Sequence, residues 1–305
     1  MGSQLGGVAA GLGAGFAAAR LLWMLLRPML SAPVFRRVNY RNHELSTAGG
    51  LVIVCAVLLV ESCRIVLGAF GVGEPLLQNG LRLPILFGVI GFSLLGLIDD
   101  LGASGSARGF RAHVRSIFHG RPSTGALKLV GGACVALMVA SHFSGGTLGR
   151  VSSALTLQEK AANVGWLLFN AALIALSANV GNLFDRAPGR TIKVSTLCFS
   201  GIALGAVVAG NWMPLAPLAV VIGASLGLLI DDLREHMMLG DTGANVLGAV
   251  LATAVVAGAS TTIRILVMIL VLGLNGVAEL VSFSRVIERT RPLRAADRAG
   301  APHRK

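Results

Sequence analysis

Nine apolar runs divide this 305-residue chain, and each approaches the roughly 20 residues that cross about 30 Å of hydrocarbon as an α-helix. With 54% hydrophobic residues, 13% charged residues and a mean hydropathy of +0.76, the chain lacks the polar surface of a soluble globule. The runs do not alternate as barrel strands do, so we predict an all-α polytopic membrane helix bundle of about nine transmembrane helices. The runs cover residues 5–26, 47–67, 83–98, 126–143, 163–183, 194–210, 214–230, 243–260 and 263–283.

Basic residues concentrate in alternate connections between these runs. The segments 27–46, 99–128, 184–193, 231–241 and 284–305 hold 20 of the 26 Lys and Arg residues. The positive-inside rule then predicts that these segments are cytoplasmic, with the N-terminus outside and the C-terminus inside. We therefore expect a multi-pass protein of the cell (plasma) membrane.

The chain divides into a predicted transmembrane catalytic domain, 1–283, with a cytoplasmic loop at 99–125, and a basic cytoplasmic tail, 284–305. Within that loop, residues 108–118 have the spacing of an interfacial amphipathic helix. The formal net charge of +12 could indicate nucleic acid. Its placement favours anionic lipid head groups and phosphorylated substrates instead, so we expect no nucleic-acid partner.

All the aspartates fall near the predicted cytoplasmic side, and Asp99 and Asp100 end the third run. Adjacent acids are costly in hydrocarbon and usually line a water-filled cavity or a functional site. Their repulsion would let one carboxylate hold a proton and act as a base, whereas a divalent cation would keep both ionised. Hydrated charges at a helix end are the alternative interpretation.

A second polar cluster closes the fifth run, where three side chains follow one another at helical spacing: Asn179, Asn182 and Asp185. Pro188 and Gly189 then predict a tight turn that presents Arg190. Carboxamides can bind a base or sugar edge, and guanidinium groups can hold phosphate. Packing between membrane helices would explain the asparagines equally simply.

A third cluster, LGDTGAN at 239–245, opens the eighth run. Asp241 and Thr242 could cap a helix, and Asp241 could also bind a hard cation. Three clusters on one membrane face, with carboxylates for Mg²⁺ and cations for phosphates, favour phosphoryl transfer over three separate capping events.

The ordered motifs resemble the polyprenyl-phosphate N-acetylhexosamine-1-phosphate transferases, a divergent branch of which this chain would form. The resemblance rests on NYRNHELSTAGGLVIV at 39–54, GLIDD at 96–100, NVGNLFD at 179–185 and LGDTGAN at 239–245. It implies transfer of a sugar 1-phosphate from a UDP-sugar to undecaprenyl phosphate, with Mg²⁺ and release of UMP, in cell wall biogenesis. A homodimer is the oligomer that the resemblance suggests.

The resemblance also assigns roles. Asp99 and Asp100 match the paired catalytic carboxylates, with Asp99 deprotonating the lipid phosphate, and Asp241 together with Asp100 would hold the metal. The remaining candidates would bind substrate: Thr47, Lys128, Asn179, Asn182, Asp185, Arg190 and Thr242.

Several positions depart from the family pattern. The usual DGxDG is replaced after Asp185 by Arg186-Ala-Pro-Gly, and Ala103 stands where a lysine is expected. No His-x-His-His motif or tenth span follows residue 283, so a UDP-N-acetylhexosamine without peptide is the favoured donor. Two alternatives stay open at this point: a proton-coupled transporter, whose key acids would lie near mid-bilayer, and a catalytically inactive lipid-binding homologue.

Overall fold

The computed structural model describes residues 2–39, 41–72, 80–102, 123–148 and 156–302, and helices dominate them. Nine helices in these ranges are long and apolar enough to cross a membrane, which confirms the predicted polytopic bundle. Two short helices, α10 and α11, follow the last span. The helices are α1 (Gly2–Leu30), α2 (Gly49–Ala69), α3 (Arg82–Gly102), α4 (Thr124–Leu148), α5 (Leu157–Phe184), α6 (Arg190–Ala209), α7 (Leu215–Leu233), α8 (Gly240–Gly258), α9 (Thr261–Leu280), α10 (Phe283–Arg289) and α11 (Arg291–Arg298).

Helices α7 and α8 form the centre of the bundle. In their most apolar 18-residue stretches, 78% and 72% of the residues are buried, whereas the corresponding value for α9 is 11%. Helix α1 packs along α7, while α2, α3 and α5 surround α8. Leu218, Ile222 and Leu247 are fully buried between them. The outer helices expose leucine and isoleucine instead, as a surface solvated by lipid tails requires.

A small β-hairpin interrupts the helical chain between α1 and α2. Strand β1 (Arg36–Val38) pairs antiparallel with β2 (Glu44–Ser46), and Arg37 lies opposite Leu45. Asn42 adopts a positive φ of 61° in the connection, a conformation that Asn tolerates better than most residues. The sequence predicted a loop at 27–46, because strands of three residues carry too little hydrophobic pattern to detect.

One end of the bundle collects most of the charged connections, and we call it the acid-bearing end: α3, α5, α7 and α9 end there, and α2, α4, α6 and α8 begin there. Contacts between its connections include Met238 N donating to Ser46 O at 2.7 Å and Gly189 N donating to the Asp232 carboxylate at 3.0 Å. The described parts of the alternate connections thus lie at one end of the bundle, and the side of the membrane that this end faces stays a prediction. The amphipathic helix predicted at 108–118 lies outside the described residues.

Candidate active site at the acid-bearing end

Four helix ends bring predicted site residues together. Asp99 and Asp100 lie in the last turn of α3, and Lys128 follows one turn after the start of α4. Asn182 lies in the last turn of α5, and Asp241 lies in the first turn of α8. Residues separated by as many as 142 positions therefore meet around one point, which we call the acid cluster.

Asp241 is the centre of the acid cluster. The Lys128 ammonium forms an ion pair with its carboxylate and lies 3.9 Å from Asp99 Oδ2. Asn182 Nδ2 donates to Asp241 Oδ2 at 3.0 Å. These charged side chains keep 18–22% of their surface exposed, so the cluster is open to water and to a ligand.

Asp100 makes different contacts from its neighbour Asp99. Its carboxylate accepts hydrogen bonds from Asp241 N at 3.0 Å, Thr242 N at 2.9 Å and Thr242 Oγ1 at 2.6 Å. These N–H groups belong to the first turn of α8, which has no side-chain cap of its own at Leu239. Of the two alternatives for Asp241, the structure does not support helix capping, because Asp100 reaches across from α3 to the first turn of α8 and Asp241 faces Lys128.

Two glycines allow the helices to approach closely enough to form the cluster. A Cβ atom on Gly96 would collide with the carbonyl oxygen of Asp241, and one on Gly181 would collide with that of Ala244. The backbones of α3 and α5 thus lie directly against the first turns of α8. This contact places Asp100 and Asn182 within hydrogen-bonding reach of α8 residues.

A cleft of about 370 Å³ opens beside the acid cluster. Its walls come from the hairpin, from the connection between α5 and α6, and from the end of α7, and include Asn39, Asp185, Asp232 and Glu235. Asp185 accepts a hydrogen bond from Thr191 Oγ1 at 3.2 Å. Burial raises the pKa of the Asp185 carboxyl well above its usual range, and repulsion from Asp232 and Asp241 adds to the effect. Asp185 thus lies in the wall of the cleft and within electrostatic reach of Asp241 in the acid cluster.

The hairpin is held over the cleft by Glu235, in the connection between α7 and α8. Asn39 Nδ2 donates to Glu235 Oε2 at 3.1 Å, and Arg41 Nη1 lies 3.3 Å from Oε1. The candidate residues indicated by the sequence did not include Asp232 or Glu235, which form this wall. A signal for Asp232 is present in the sequence, because SLLGLIDD at 93–100 is echoed by SLGLLIDD at 225–232, and both segments come near the end of a helix.

Four predicted binding residues lie outside the acid cluster. Asn179 donates to Asn275 Oδ1 on α9 at 2.7 Å, which fits the alternative of helix packing. Arg190 is buried against Asp297, and Thr242 is fully buried with its hydroxyl on Asp100. Thr47 is 5% exposed, and its hydroxyl has no hydrogen-bond partner among the described residues. Asn179 and Arg190 thus contact α9 and the C-terminal segment, and their roles in substrate binding stay predictions.

Metal-binding groups are limited in number at this site. Within the described ranges, no three His, Cys, Asp or Glu side chains are arranged to hold an ion by themselves. Asp99 and Asp241 remain as a pair of carboxylates that share one ammonium group, since both oxygens of Asp100 accept bonds from α8.

The sequence is similar to those of known proteins. The sequence profile of glycosyl transferase family 4 matches residues 83–259, the region from α3 to the start of the connection after α8. A phospho-N-acetylmuramoyl-pentapeptide-transferase of Acetivibrio thermocellus is 24% identical over 245 residues, which cover 76% of this chain and 68% of that protein. The matched region contains the whole acid cluster, and the chain belongs to glycosyl transferase family 4.

Proposed function

We propose that this membrane protein transfers a sugar 1-phosphate, most simply an N-acetylhexosamine 1-phosphate, from a UDP-sugar to undecaprenyl phosphate. The supporting observation is the convergence of Asp99, Lys128, Asn182 and Asp241 from four helices at one end of the bundle. The name of the Acetivibrio thermocellus relative describes a transfer of the same class. The acid-bearing end would face the cytoplasm of a cell whose plasma membrane holds the protein.

In the proposed reaction, an oxygen of the lipid phosphate attacks the sugar-bearing phosphorus of the donor. The bond from that phosphorus to the UMP oxygen breaks, and UMP leaves. Asp99, partly exposed beside Lys128, accepts the proton of the lipid phosphate. The Lys128 ammonium turns from the carboxylates to the phosphates, and Asn182 keeps Asp241 in place.

The residues fit a magnesium ion. Asp99 and Asp241 present carboxylate oxygens, and Mg²⁺ is usually held by one or two protein carboxylates together with substrate phosphates. Bound Mg²⁺ would neutralise the charge of the pyrophosphate. Asp100, by contrast, positions Asp241 through the start of α8.

The depth of the acids favours an enzyme over a transporter. Asp99, Asp185 and Asp241 lie within the last or first turns of their helices or just beyond them, at one end of the bundle. A proton-coupled transporter would place its key acids near the middle of the spans.

Purified protein, mixed with UDP-N-acetylglucosamine, Mg²⁺ and undecaprenyl phosphate and assayed for UMP, tests the proposal. We expect UMP release that depends on both the lipid and Mg²⁺ and that is lost in Asp99→Asn and Asp241→Asn. Absence of UMP with a panel of UDP-sugars would favour an inactive lipid-binding homologue and refute the proposal.

A further inference from the structure

Residues 283–302, which follow the last span, fold back onto the wall of the cleft. The ring of Phe283 stacks on Phe184 at the end of α5, with ring centres 5.5 Å apart. Arg190, at the start of α6, makes a two-pronged ion pair with Asp297: Nε to Oδ1 at 2.7 Å and Nη2 to Oδ2 at 2.8 Å. Arg190 Nη1 also donates to Ser284 Oγ at 3.0 Å. Both side chains of the ion pair are 3% exposed.

A second cation of α6 strengthens the attachment. Lys193 Nζ donates to the carbonyl oxygens of Ala296 at 3.2 Å, Asp297 at 2.9 Å and Ala299 at 2.7 Å. The last carbonyls of a helix have no partners within the helix, so Lys193 satisfies the end of α11. Residues 283–302 are thus bound by two side chains in the first turn of α6, Arg190 and Lys193.

These contacts lie beside the residues that line the cleft. Arg190 follows residues 185–189, four of which line the cleft. Gly189 donates its N–H to Asp232, and the Leu233 side chain touches Gly189 on one side and Gly300 on the other. Movement of the C-terminal segment would remove its contacts with Phe184 and Arg190, the two residues that flank residues 185–189.

We propose that residues 283–302 position the wall of the cleft and that the cleft binds the donor of the reaction. Asp297 acts through Arg190 to hold residues 185–189 against the cleft. This inference rests on the proposed function for the nature of the ligand, a nucleotide sugar. It differs from the expectation from the sequence that Arg190 binds a phosphate directly.

The ion pair between Arg190 and Asp297 is well suited to hold the C-terminal segment in place. A buried guanidinium that loses its carboxylate is left uncompensated, and removal of one partner disturbs the surroundings far more than loss of an exposed pair. Asp297→Asn keeps the shape of the side chain and removes the charge. Arg291→Gln is the matched control, because Arg291 lies on the same helix, α11, with an exposed side chain.

The experiment measures two properties of the purified full-length protein. The first is KM and kcat for UDP-N-acetylglucosamine in the UMP assay. The second is the rate at which trypsin cuts after the exposed Arg186, scored by the mass of the fragments. We expect Asp297→Asn to raise KM about tenfold with kcat changed less than about threefold, and to speed cleavage after Arg186. Asp297→Glu should recover most of both properties, and Arg291→Gln should match the wild type.

Each outcome decides the proposal. Unchanged KM in an active Asp297→Asn protein overturns it even if cleavage is faster, because the segment then serves stability alone. A changed KM without faster cleavage overturns the route through residues 185–189. If Asp297→Asn does not fold, Lys193→Met carries the same test with a smaller expected change of about threefold in KM. If the wild type releases no UMP from any UDP-sugar, the proposed function fails, and equal cleavage rates in wild type and Asp297→Asn would then overturn the attachment separately.

Discussion

Among the groups of charged side chains that join helices in this protein, two differ clearly in charge balance and exposure. Between α2 and α3, Glu61 lies between two arginines: Arg82 Nη1 at 2.5 Å and Arg64 Nε at 2.8 Å. These side chains are 5%, 9% and 16% exposed. In the acid cluster, one ammonium group serves the carboxylates of Asp99 and Asp241, and all three side chains are about one-fifth exposed.

The difference separates charges that support the bundle from charges that can take part in chemistry. A single buried carboxylate with two guanidinium partners has little capacity for another ligand, and its loss leaves buried positive charge. The acid cluster has an excess of negative charge and access to water, which suits a site that binds a cation and phosphates.

The largest effect is expected from the centre of the acid cluster. Asp241→Asn should lower the rate of UMP release by about 10³-fold, which corresponds to about 4 kcal/mol in the barrier, since it removes a charge that the reaction needs. Thermal unfolding in detergent should change little, because Asn retains the shape and the Asn182 contact. A variant with more than a tenth of wild-type activity would place the chemistry elsewhere.

Glu61 and its two arginine partners should give the reverse result, a loss of stability with little loss of activity. Glu61→Gln is expected to lower the free energy of unfolding by about 3 kcal/mol, because two largely buried guanidinium groups lose their counter-charge. The activity of the protein that remains folded should be close to that of the wild type. Chemical denaturation and UMP release on the same preparation check both halves of the comparison.

A smaller effect is expected from the cap that joins α3 to α8. Thr242→Val removes the hydroxyl that donates to Asp100 and should cost about 1 kcal/mol of stability, since the two backbone N–H bonds to Asp100 remain. Thr253→Val on the same helix removes a hydroxyl that bonds only its own helix, at Ala249 O, and should cost less. Equal losses in the two variants would show that the contact between α3 and α8 adds nothing beyond packing.

A further difference is expected in the pH dependence of stability at the cleft. Because the folded-state pKa of Asp185 is raised, its contribution to stability is complete below the unfolded pKa of about 3.9 and is lost as the pH rises through the folded value. Asp185→Asn should therefore gain stability relative to the wild type as the pH increases from about 4 towards neutrality. A difference between the two proteins that stays constant or shrinks over that range would contradict the assignment.

The sequence predicted the bundle and part of the site for clear physical reasons. Apolar length fixes the number of spans, and charges at the ends of runs must collect where the backbone leaves the hydrocarbon. Asp99, Asn182 and Asp241 could be grouped in this way before any coordinates were known, and the family resemblance added Lys128.

What the sequence left open depends on which groups face each other. The donors for Asp100 are backbone N–H groups 141 and 142 residues away, and no side-chain pattern identifies them. The sequence around Arg190 is the same whether its side chain binds a phosphate or Asp297. Its partner could be identified only once the position of residues 283–302 was known. The hairpin was missed because its register is set by contacts with Glu235 and Met238 and only weakly by its own short strands.

The central claim is that Asp99 and Asp241 serve one cation-binding pocket, and cation binding tests it most directly. Mn²⁺, used in place of Mg²⁺ and followed by electron paramagnetic resonance, should bind the wild type with UDP-N-acetylglucosamine present. Asp99→Asn and Asp241→Asn should each weaken that binding by about tenfold or more, while Glu61→Gln leaves it unchanged. Binding that survives in both acid-cluster variants, or that falls in Glu61→Gln alone, would contradict the account.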